Sequence, residues 1–88
     1  MSKTAILGLV AFSLVINNFN RAELRRIMSA FKKKSKDSKF DRDDAVKEVL
    51  TNIGYSDGLI KNVIKTLKKV TDSICEEYAE KYFTSLNI

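Results

Sequence analysis

Apolar positions recur along this chain with a helical period, in four stretches of different character. Residues 4–16 are apolar nearly all round, which predicts a helix buried on every side, about 20 Å long at 1.5 Å per residue. Leu24, Ile27, Met28 and Phe31 then fall at i, i+3, i+4 and i+7, the spacing of one helical face, and predict a basic amphipathic helix over 20–34. Ala45, Val46, Val49, Leu50 and Ile53 mark a third helix over 41–53. Leu59, Ile60, Val63, Ile64, Leu67 and Val70 mark a fourth, whose stripe continues to Ile74, Tyr78 and Phe83. It reads as one long or kinked amphipathic helix over 57–86, with a break or kink favoured near Asp72.

Polar residues punctuate these stretches. Asn20 is a good N-cap, Glu23 stands at the capping-box position, and Phe19 can staple against Leu24. Phe40 and Asp41 repeat that logic, and Asp43 and Asp44 suit the positive end of a helix dipole. Gly54 stands where a left-handed residue ends a helix. Ser73 with Glu76 makes a further capping-box match at the expected break. Ser35 to Lys39 is polar and reads as a loop. With no proline and only three glycines, long helices are the natural outcome, and the fold class is an all-α, compact bundle of four to five helices in one domain.

An 88-residue chain has a small core. Cys75 is the sole cysteine and there is no histidine, so an intrachain disulfide and a structural zinc site are both out of reach, and no cofactor is expected. Self-association is the remaining common way to stabilise so small a domain, and a homodimer or other homo-oligomer is expected. The first helix has three readings: a core or oligomer-contact helix, a membrane-associating segment, or a signal peptide. Its contact side chains would be Ile6, Leu7, Leu9, Val10, Phe12 and Leu14. It falls short of the ~30 Å hydrocarbon core, and Asn17-Asn18-Phe19-Asn20 offers no small-residue cleavage site. A cytoplasmic protein is expected.

The net charge of +5 is banded: residues 21–39 carry +6, 40–55 carry −2, 56–70 carry +3 and 71–88 carry −3. Two basic bands suggest an anionic partner, either nucleic acid or an acidic protein surface, with a merely solvated surface as the equal alternative. The candidate contacts are Arg21, Arg25, Arg26, Lys32, Lys33 and Lys34 on the second helix, and Lys61, Asn62, Lys65, Lys68 and Lys69 on the fourth.

Catalysis finds few of its parts. Without histidine there is no imidazole base, and no glycine-rich phosphate loop is present. Cys75 lies beside Glu76 and Glu77, whose charge opposes thiolate formation, so it reads as a small core residue. The acids from Asp37 to Asp44 do not make a calcium loop, which needs oxygens at positions 1, 3 and 5 and a glycine at 6, because Lys32, Lys33, Lys34 and Lys36 occupy most of the loop. A non-enzymatic binding protein is therefore expected.

Residues 46–65 resemble a helix-turn-helix, with Gly54 as the turn glycine and Val49, Ile53, Tyr55, Ile60 and Val63 on its usual buried positions. Leu50 departs from that pattern, standing where the family carries a small residue. The resemblance covers about twenty residues. It implies that Ser56, Asp57, Lys61, Asn62 and Lys65 face a nucleic-acid groove. The same segment looks like the first two helices of a ubiquitin-associated-type module, which implies a protein partner instead. An ordinary helical hairpin in a bundle is preferred to either resemblance as the account of this segment. Small size, Lys/Asn/Ile-rich usage and the lack of catalytic motifs resemble small phage or mobile-element proteins that modulate a host factor. The leading expectation is a regulatory protein that binds nucleic acid through its basic helices. The alternatives are a protein-interaction module, such as an inhibitor or adaptor of an acidic partner, and a membrane-associated regulator anchored by residues 4–16.

Overall fold

The computed structural model describes all 88 residues, Met1 to Ile88, as five α-helices without strands. They are α1 (Lys3–Ile16), α2 (Arg21–Lys34), α3 (Arg42–Ile53), α4 (Asp57–Ser73) and α5 (Glu76–Leu86). They fold into a body of 31 × 29 × 24 Å. The all-α bundle read from the periodicity is the observed architecture.

Helix α1 is its centre. It packs most extensively on α5, then on α4 and α2, while α3 bridges α2 and α4. Cover from three helices explains a helix that is apolar nearly all round. Leu7, Leu9, Val10 and Leu14 are buried inside the monomer. That corrects their assignment to an oligomer or membrane contact, because in this fold α4, α5 and α2 already occupy their surface. Ile6 and Phe12 are half-buried against the core, and of the apolar side chains of α1 only Val15 and Ile16, 42% and 49% exposed, lie open to solvent. No helix is long and apolar enough to cross a membrane.

Two features lock α1 in place. Ser13, fully buried, donates its hydroxyl hydrogen to the Val63 carbonyl of α4 at 2.7 Å, so the one polar side chain in the middle of this helix is satisfied. Gly8 faces Ala79 of α5 so closely that a β-carbon there would overlap the Ala79 carbonyl oxygen and stand 2.8 Å from its carbon. Only glycine permits that approach.

The predicted boundaries hold at most ends. Asn20 and Glu23 form the reciprocal capping box, Asp41 accepts from the Asp44 backbone N–H at 3.0 Å, and Ser56 accepts from that of Leu59 at 3.3 Å. Gly54 closes α3 at φ 112°. Asn18 takes the same left-handed role after α1, with the Phe19 N–H reaching back to the Leu14 carbonyl at 3.1 Å.

The last predicted helix differs. It is broken at Ile74 and Cys75, and the chain reverses so that α5 returns to α1. Ser73 is not the cap; its hydroxyl donates to the Lys69 carbonyl within α4 at 2.9 Å. Cys75 holds the cap position instead and makes no side-chain cap bond. It is exposed, which corrects its reading as a core residue. The stripe read as continuous therefore belongs to two helices that bury their apolar sides on α1 from different directions.

Candidate polyanion-binding groove

The hairpin of α3 and α4 builds the most strongly cationic hollow of the surface. Gly54 turns the chain, Tyr55 is half-buried against the core, and the Ser56 cap starts α4 three residues after α3 ends. Ile60, Val63, Ile64, Leu67 and Val70 then point inward, all buried. That orientation turns Lys61, Lys65 and Lys68 to solvent along one side of α4. Lys47 and Thr51, one turn apart on α3, form the opposite wall. Between the walls lies a shallow groove of about 420 Å³ with Ile60 and Ile64 in its floor and Asp57 at the start of α4. None of the four lysines makes an ion pair within 4 Å.

Lys47 was not among the sequence-predicted contacts, because it lies in a band of net negative charge. The structure shows where three of the four acids in that band are engaged, with Asp44 left exposed. Asp41 caps α3, Asp43 pairs with Arg42 at 2.9 Å, and Glu48 pairs with Lys34 of α2 at 2.8 Å. Arg42 also donates to the Thr71 hydroxyl at 2.6 Å, tying α3 to the far end of α4. Lys47 is left facing the groove. Asn62 and Lys69, also predicted, are exposed on α4 but do not line it.

The basic set on α2 is divided. Arg21 donates to the carbonyls of Leu86 at 2.8 Å and Asn87 at 3.4 Å, where the free C-terminal carbonyls of α5 attract a cation. Lys32 lies 5.1 Å from the centre of the Phe83 ring and donates to Ile88 O at 3.4 Å. With Lys34 held by Glu48, three of the six predicted cations act within the fold. Arg25, Arg26 and Lys33 remain exposed.

Beside this helix start, Tyr55 donates its hydroxyl hydrogen to Glu23 Oε2. That bond, with one from the Asn20 backbone N–H, holds the Glu23 carboxyl below the ordinary carboxylate value. Burial, then the same bond to Glu23, pushes the Tyr55 phenol up. This pair joins α2 to the α3–α4 turn.

No three His, Cys, Asp or Glu side chains are grouped as a metal ion would need. No family profile, curated protein or solved structure matches this chain.

Proposed function

We propose that this is a non-catalytic nucleic-acid-binding protein whose α3–α4 groove contacts phosphates. The observation that carries the reading is the convergence of Lys47, Lys61, Lys65 and Lys68, without ion-pair partners, on one groove that holds a single carboxylate. Lysine ammonium groups neutralise phosphates as point charges and release condensed counterions. Four such contacts correspond to a slope of log affinity on log salt of about −3.6 with a duplex.

Fluorescence anisotropy of a labelled duplex, titrated with the protein between about 50 and 200 mM salt, measures that slope. A steep negative slope is the expected result. Changing Lys61 and Lys65 together to Gln, with helicity checked by circular dichroism, should flatten it by about 2. A flat response of the unaltered protein would sink the reading.

An acidic helical segment of a partner protein is the second reading. Its support is the floor of Ile60 and Ile64, which offers an apolar seam between two cationic walls. Binding to a polyglutamate probe as tightly as to a duplex would favour it.

A further inference from the structure

We infer that the groove takes the sugar–phosphate backbone of a double helix and does not read its bases. The inference rests on the nucleic-acid reading above and names the class of ligand.

Single strands are held chiefly by stacking bases on aromatic rings over a cationic track. The groove has the track and no rings. The chain's eight aromatics are all engaged or distant. Phe12 packs edge-on with Tyr82, Phe19 with Tyr55, and Phe31 with Phe40. Phe83 lies under Lys32, and Tyr78 is exposed on the acidic α5. An unpaired base entering the groove finds no ring to stack on, and its apolar floor is only the edges of Ile60 and Ile64.

Charge density points the same way. Lys61 to Lys68 spans about 10 Å of α4 at 1.5 Å per residue. Over that length one strand of a duplex presents about three phosphates and the two strands together about six, at one charge per ~3.4 Å and ~1.7 Å of axis. Four lysines on two walls exceed what one strand offers and fall within what a duplex offers.

Base reading lacks its groups at the start of α4. Where a helix-turn-helix reads sequence, the first residues of its second helix touch base edges. Here Ser56 is occupied by the Leu59 N–H, Asp57 is a carboxylate and Gly58 has no side chain. No arginine, asparagine or glutamine lines the groove. Asp57 and the Thr51 hydroxyl are the lining groups able to accept from a base, and Asp57 would do so from a cytosine amino group. Facing phosphates, it opposes binding instead.

The test uses the full chain with two labelled duplexes of unrelated sequence, their separated strands, and Asp57→Asn. We expect the duplexes to bind alike within about twofold and the single strands about threefold or more weakly. Asp57→Asn should tighten both duplexes equally, by about two- to fivefold at low salt. Single strands binding as tightly as the duplexes would overturn the inference. So would a preference of about tenfold for one duplex, or weaker binding by Asp57→Asn confined to one of the two. Absence of binding to any nucleic acid at low salt would fail the underlying reading itself, and is distinguished by the salt titration.

Discussion

Gly8 is the point where α1 and α5 come closest, and its missing side chain is what lets them. Gly8→Ala must push the Ala79 backbone away, which strains a packed interface. A loss of about 3 kcal/mol is expected, read as a lower midpoint in urea unfolding. An unchanged midpoint would mean that the two helices do not cross at this residue. The Tyr55–Glu23 bond makes a prediction about pH. The Glu23 carboxyl is lowered in the folded protein, so its contribution is present above the ordinary carboxylate value and fades as pH falls through the folded value. The Tyr55 phenol is raised, so its contribution is present below pH 10 and is lost at higher pH, as the medium passes through the raised folded value. Tyr55→Phe should move the Glu23 carboxyl titration, followed by NMR, back towards its ordinary value. No movement would rule out the bond as its main cause.

Four of the five helices begin with a side chain that accepts a backbone N–H: Ser2, Asn20, Asp41 and Ser56. Cys75 takes nearly the same backbone conformation as the two serines, φ −73° and ψ 159° against −67° and 156° at Ser2, yet makes no such bond. A hydroxyl there would find a donor in place. Cys75→Ser should therefore stabilise the protein by about 1 kcal/mol, seen as a raised thermal midpoint. The unaltered thiol should also react with a maleimide in the native state, without denaturant. Protection from the reagent would show that this end of α5 is covered. The N-terminus adds a second hold on α5, since the Ser2 backbone N–H and hydroxyl donate to Glu76 and Glu80, each at 2.7 Å.

Across the whole molecule, ion pairing decides which cations are free to bind. Net charge by sequence band put the largest positive charge on and after α2, but that helix spends Arg21, Lys32 and Lys34 on α5, the chain end and α3. Lys47, hidden in an acidic band, makes no ion pair, while Glu48 and Asp43 beside it are paired with Lys34 and Arg42. Lys47→Gln should therefore weaken duplex binding as much as Lys61→Gln, each flattening the salt slope by about 0.9. Arg21→Gln should lower stability while leaving the slope nearly unchanged. A slope change from Arg21→Gln equal to that from Lys47→Gln would mean that α2, not the groove, carries the contact.

The helices, the caps at Asn20, Asp41 and Gly54 and the buried identity of α1 were legible in the chain, because each follows from a local rule. A 3.6-residue period, an Asn or Ser before a helix and a Gly after one depend on neighbours within a turn or two. The break after Ser73 was legible as a place, but its cap was not. Ser73 and Cys75 are both small and polar enough, and packing of α5 on α1 chose between them. The lysine row on α4 was likewise visible, since an inward apolar stripe leaves Lys61, Lys65 and Lys68 outside. The opposite wall was not. Whether Lys47 faces a partner or a carboxylate depends on Lys34 meeting Glu48 and Arg42 meeting Asp43 and Thr71, contacts made partly across the fold. Long-range pairing of charges is set by how the helices stack, and only the folded chain determines it.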